Sequence, residues 1–179
     1  MNLNKLAVTA QEAFQNAMGV AGEANSAMIE PIHLLKALLD ADENNIAAII
    51  KRIGADPVFL AQNIEDDIAK LPKISGGMPM AAPSQDLIKT IDKAEKVASK
   101  LGDSYVTSEH LLIALSEDKG AAGKLLGTAG ITPKNIEAAY EALRGDTRVT
   151  SQTDKTQFEA LPPYGQNLTQ QAREGKLDP

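Results

Sequence analysis

Cysteine and tryptophan are both missing from these 179 residues. The first absence excludes disulfides and thiol chemistry, and it fits a reducing compartment such as the cytoplasm. Three tyrosines and three phenylalanines are too few for the aromatic platforms on which single-stranded nucleic acids stack. A net charge of −6 argues further against a phosphate backbone as partner, which calls for a basic face. No apolar run approaches the roughly 20 residues that span a bilayer, and no charged-then-apolar leader opens the chain. Neither nucleic acid nor membrane is therefore an expected partner. The two histidines, His33 and His110, lack a second ligand one helical turn away, so no zinc site is expected. No Ser/His/Asp grouping can be read from spacing either. Gly120-Ala121-Ala122-Gly123-Lys124-Leu125 is the nearest approach to a phosphate-binding loop. It has two residues between its glycines where four are needed, and a leucine where a hydroxyl should follow the lysine. A helix-opening turn with a surface lysine is the plainer account.

What the chain does have is a repeat. Residues 106–115 read Val-Thr-Ser-Glu-His-Leu-Leu-Ile-Ala-Leu, and residues 29–38 read Ile-Glu-Pro-Ile-His-Leu-Leu-Lys-Ala-Leu. His110 lies 77 residues after His33, and Leu111, Leu112, Ala114 and Leu115 then fall on Leu34, Leu35, Ala37 and Leu38. Downstream, Gly130-Ile131-Thr132-Pro133 follows Gly54-Ala55-Asp56-Pro57 at an offset of 76. Two anchors separated by a single gap mark a duplicated unit.

Within each unit the apolar spacing is helical. Leu3, Leu6, Ala10, Phe14, Ala17 and Ala21 step by three and four, predicting a first helix from Leu3. Glu30-Pro31, Asp56-Pro57 and Thr132-Pro133 are cap-plus-proline starts, Ser84 and Thr107 are further caps, and Gly54 and Gly102 are stops. His33 and His110 fall in first helical turns, where local packing or hydrogen bonding is the expected role. No stretch alternates apolar and polar residues, so no strand is expected. The fold class is all-α, with eight helices in two tandem four-helix repeats related by pseudo-twofold symmetry. The first repeat covers residues 1–70, a Pro- and Gly-rich connector holding Met78 and Met80 covers 71–84, and the second repeat covers 85–145. Residues 1–145 should form one globular domain. Residues 146–179 read as a polar, mobile tail with one short helix from Asn167 to Glu174.

Two acids stand apart. Asp103 and Glu109 flank the Tyr105-Val106 turn where the second repeat's short helix begins. Dipole and turn chemistry explain both, and loop–helix junctions also carry function.

The His-Leu-Leu-x-Ala-Leu core, present in both repeats and preceded by Glu109 in the second, resembles the N-terminal domain of the Clp/Hsp100 unfoldases. The opening Met1-Asn2-Leu3-Asn4-Lys5-Leu6, the connector Leu71-Pro72-Lys73, Gly102-Asp103-Ser104-Tyr105-Val106 and the tail from Tyr164 to Pro179 are most similar to the disaggregase branch. The resemblance implies a substrate-engaging domain that binds unfolded or aggregated polypeptides through a groove between the repeats. Catalysis and cofactors are implied to lie elsewhere. ATP and magnesium would belong to an ATPase module following Pro179, in a homo-hexamer working with Hsp70-system chaperones in the cytoplasm. The isolated domain is expected to be monomeric. Asp103 and Glu109 look like matches to acidic positions tied to substrate engagement in the family, Tyr105 between them is expected to respond to substrate as well, and both acids are expected at the surface. A fourth such position, often threonine, is Ala7 here. An adaptor-docking or phosphoarginine-binding N-domain of the same family is the alternative. It needs a glutamate before His-Leu-Leu in both repeats, and Ile32 holds the first place.

Overall fold

Side-chain acceptors start several of the helices. Asp56 Oδ1 accepts the Val58 N–H at 2.9 Å, Ser84 Oγ that of Leu87 at 3.1 Å, and Thr132 Oγ1 that of Asn135 at 3.2 Å. Each such cap contributes about 1 kcal/mol. Pro31, Pro57 and Pro133 open their helices, where a missing N–H costs nothing. Gly54 and Gly130, matched between the repeats, leave their helices at φ of +106° and +79°, conformations that a side chain would strain.

The computed structural model describes residues 2–41, 45–74 and 81–154. Met78, Met80 and the helix expected at Asn167 lie outside these. Among the described residues the first repeat contains α1 (Val8–Glu23), α2 (Pro31–Asp40), α3 (Ile46–Ile53) and α4 (Pro57–Ala69). The second contains α5 (Gln85–Lys100), α6 (Ser108–Ser116), α7 (Ala121–Thr128) and α8 (Pro133–Arg144). The all-α architecture is as expected, with two local differences.

The first difference is at the amino end, where Leu3–Lys5 form a 3-10 turn and α1 begins only at Val8. Val106 holds this segment extended: its N–H donates to the Lys5 carbonyl at 2.8 Å, and its own carbonyl accepts the Ala7 N–H at 2.8 Å. The buried stripe of α1 is therefore Ala10, Ala13, Ala17 and Ala21, while Leu3 is 49% exposed. The second difference corrects the expectation of no strand. Met28–Ile29 (β1) pairs in parallel with Ala82–Pro83 (β2). Two residues are too few to register as alternation.

Packing follows the repeat. Helices α2 and α6 are buried almost all round, and they meet at the centre, as such helices must. Helix α1 packs on α2, and α5 on α6. Across the repeats α3 packs on α8 and α4 on α7, two contacts that the pseudo-twofold exchanges. One apolar cluster runs through both units, from Leu6 to Leu143. Residues 145–154 stay on this body. Val149 is 1% exposed, so the polar tail expected from 146 is corrected over its first residues, which pack against the domain.

Candidate functional site

Both histidines close capping boxes. In α2, His33 Nδ1 accepts the Glu30 N–H at 2.8 Å, which leaves Nε2 to donate to Ser26 Oγ at 3.1 Å. Burial lowers the His33 pKa to about 4. In α6, His110 Nδ1 accepts the Thr107 N–H at 2.9 Å, and Nε2 donates to Asp103 Oδ2 at 2.8 Å. The local role expected of both histidines is what the structure shows.

Asp103 stands 77 residues after Ser26, so it is the second repeat's version of the same contact. A carboxylate there needs a counter-charge, and Arg144 supplies it. Arg144 Nη1 donates to Asp103 Oδ1 at 2.9 Å, and neither side chain has any exposure. The guanidinium also donates to Tyr140 Oη at 2.8 Å, to the Leu101 carbonyl at 3.2 Å and to Glu141 Oε1 at 3.0 Å. Its central carbon sits 4.1 Å from the Tyr140 ring centroid, a cation–π contact. Offset by 76, the first repeat has Ile68 where the second has Arg144. One unit thus solves this position with Ser and Ile, the other with Asp and Arg. Burial pushes the Asp103 carboxyl up, but the hydrogen bonds from His110, Arg144 and the Val149 N–H outweigh it and hold the pKa at about 2.

Glu109 is equally committed. It is 2% exposed, accepts from Thr107 Oγ1 at 2.8 Å, and accepts from Asn45 Nδ2 at 3.1 Å. Asn45 is the N-cap position of α3, so this bond ties the two repeats together. Ala7 is fully buried beside Val106, and Tyr105 is half-buried. The structure thus brings Ala7, Asp103, Tyr105 and Glu109 to one region, the meeting of the amino-terminal segment with the 103–109 turn. The expectation that the two acids are surface groups is corrected. Both are interior because partners on other elements neutralise or bond them. Arg144 was not singled out from sequence, although comparing the repeats position by position exposes it.

A different surface offers room for a ligand. Between α4 and α7 lies a mainly apolar cleft of about 240 Å³, lined by Phe59, Leu60, Leu125 and Ala129 among others, with Asp56 and Asn63 as polar members of its wall. Beside it Phe59 is 62% exposed and Val58 67%. The repeat supplies a physical reason for the space. Where α3 carries Arg52 and Ile53, the matched positions of α7 are Thr128 and Ala129, side chains shorter by several atoms. Gly123, of the glycine-lysine motif, is part of the same small-residue helix. A Cβ there would run into the Asp118 carbonyl, so the motif is a close backbone approach. Two other hollows, around Lys89 and Asp118 and around Lys100 and Glu137, are lined mainly by charged side chains, some of them paired with each other. Among the described residues no helix is long and apolar enough to cross a membrane.

Comparison with known proteins gives consistent findings. Residues 5–129 match the family described as the Clp repeat (R) N-terminal domain. The chain is 40% identical to the chaperone protein ClpB of Rhodopseudomonas palustris and 37% identical to that of Porphyromonas gingivalis, over its whole length in each case. It spans 21% and 20% of those relatives. Among solved structures, the Hsp104 N-terminal domain from Candida albicans superposes with a TM-score of 0.73, at 24% identity, covering 83% of this chain and 97% of that one. A ClpV N-domain in complex with a VipB peptide superposes at 0.60 with 19% identity, covering 76% and 85%. Likeness at these identities speaks to fold.

Proposed function

Because the chain belongs to the Clp repeat (R) N-terminal domain family, as the N-terminal domain of a ClpB/Hsp100-type chaperone, we propose that it engages unfolded or aggregated polypeptides through the α4–α7 cleft. The observation that carries this reading is the pairing of an apolar cleft with an unburied Phe59 and Val58. Native proteins bury such side chains, and a misfolded client presents their counterparts. A cleft of about 240 Å³ takes one large aliphatic or aromatic side chain. Burying it contributes roughly 1.5–3 kcal/mol, short of the ~4 kcal/mol of a millimolar complex. Binding by one domain is therefore weak, and repeated contacts along a client strengthen it. Several domains on one assembly would raise avidity by about 10²–10⁴. That matches a homo-hexameric, ATP-driven disaggregase working with Hsp70-system chaperones in the cytoplasm, with ATP and magnesium held outside this chain. In this reading Asp103, Glu109 and Ala7 act from the interior, and Tyr105 is the member of that set with surface to offer a client. The adaptor or phosphoarginine alternative loses ground, since Glu109 spends its carboxylate on Thr107 and Asn45.

NMR titration of the domain with a permanently unfolded, carboxymethylated protein tests the proposal. Shifts should cluster at Phe59, Leu125 and Ala129. Ala129→Ile, which installs the first repeat's own residue, should fill the cleft and abolish them while the fold persists. Shifts confined to Tyr105 and its neighbours, with the cleft silent, would move the site to the 103–109 turn.

A further inference from the structure

After α8, residues 145–154 are tied back to the domain. The Val149 N–H donates to Asp103 Oδ1 at 2.8 Å, and the Val149 carbonyl accepts the Ser104 N–H at 2.8 Å. Val149 is thereby pinned on both sides to the start of the 103–107 turn. Three residues on, the Gln152 carbonyl accepts the N–H of Val8, the first residue of α1, at 2.8 Å. Ala7 precedes that helix and makes no side-chain cap, so this carbonyl satisfies an N–H that would otherwise be orphaned. The Gln152 side-chain amide donates to the Asn4 and Leu6 carbonyls at 3.0 and 3.2 Å. Asp154 then closes the segment on itself, its Oδ2 accepting from the Thr150 N–H at 2.9 Å and the Ser151 N–H at 3.1 Å. With Val106 paired to Lys5 and Ala7, the amino-terminal segment, the 103–107 turn and residues 145–154 form one hydrogen-bonded junction.

We propose that residues 145–154 are a latch that fixes the point and direction in which the chain leaves the domain, with Asp103 and Gln152 as its positioning residues. Whatever follows Asp154 departs beside the amino terminus, and a pull on it meets Asp103 and the start of α1 before it meets α8. The first repeat makes a related attachment after α4, where the Ile74 N–H donates to the Asn25 carbonyl at 2.9 Å and Ser26 pairs with Lys73, but only the second repeat adds a buried carboxylate with its Arg144. The latch stands whether or not the α4–α7 cleft binds clients.

Amide hydrogen exchange and a spin-label distance test it on the whole chain. Cysteine is absent, so Gln85→Cys and Thr153→Cys give one clean label pair, with Gln85 about 24 Å from the turn along α5. A single narrow distance is expected, together with protection of the Val8, Ser104 and Val149 amides. Gln152→Ala should broaden the distance and speed Val8 exchange roughly tenfold, the factor for one hydrogen bond's net contribution. Amides of α5 and α8 should be unchanged, which separates loss of the latch from loss of the fold. A broad distance in the unsubstituted pair, unprotected Val8 and Val149 amides, or indifference to Gln152→Ala would each overturn the proposal.

Discussion

Asp103→Ala removes one partner of an ion pair in which neither side chain touches water. Breaking such a pair costs about 3–5 kcal/mol, because the remaining charge stays buried without its counter-ion. The lower end applies here. Arg144 keeps Glu141, whose side chain is 40% exposed, along with Tyr140 and the Leu101 carbonyl. A loss of about 3 kcal/mol should lower the thermal midpoint by roughly 6–12 °C for a domain of this size. The first repeat suggests the rescue. Asp103→Ser with Arg144→Ile installs the Ser26 and Ile68 arrangement and removes both charges. Most of the loss should return, leaving about 1 kcal/mol for the Val149 N–H that no longer finds the carboxylate. Urea unfolding of the single and double variants measures this directly. A single variant within ~1 kcal/mol of the parent, as surface substitutions behave, or a double variant worse than the single, would refute the reasoning. The linkage has a defined sign. The folded carboxyl sits at about 2, below its ordinary 3.8, so its contribution is complete above 3.8 and is lost as pH falls toward 2.

Glu109→Ala should cost about 1–3 kcal/mol, since it removes the buried acceptor that Thr107 and Asn45 share across the two repeats, whereas Glu109→Gln should cost less; urea midpoints check both. Between its ordinary 6.5 and about 4, His33 takes up a proton in the unfolded chain but not in the folded one. Stability should therefore fall as pH drops from 6.5 to 4, by up to ~3 kcal/mol, and His33→Gln should flatten that part of the curve in urea titrations at pH 7, 5.5 and 4. Gly123→Ala drives a methyl into the Asp118 carbonyl and should destabilise by more than ~2 kcal/mol. Gly127→Ala, in the same helix with open space around it, should stabilise by about 0.5–1 kcal/mol, and thermal melts of the two separate packing from propensity.

Local chemistry was legible along the chain. Asp56, Ser84, Thr107 and Thr132 start helices and Gly54 stops one because capping depends on neighbours a few residues apart, and the duplicated Leu-Leu-x-Ala-Leu runs were legible because helical period shows in one dimension. Membership of the Clp repeat family followed from the same residues. Asp103 and Glu109 could be picked out as unusual, but their burial could not. Whether a carboxylate lies inside or outside depends on what stands opposite it, and Arg144, Val149 and Asn45 come from 41, 46 and 64 residues away. The cleft has the same origin, since Ala129 and Thr128 leave space only because α4 packs across them from the other repeat. Sequence by itself determined the eight helices of the described residues, most of their caps and their duplication, all short-range matters of cap and period. Tertiary structure alone decided which charges are interior, where the apolar hollow opens and where residues 145–154 attach, because each depends on groups that only folding brings within hydrogen-bonding or van der Waals reach.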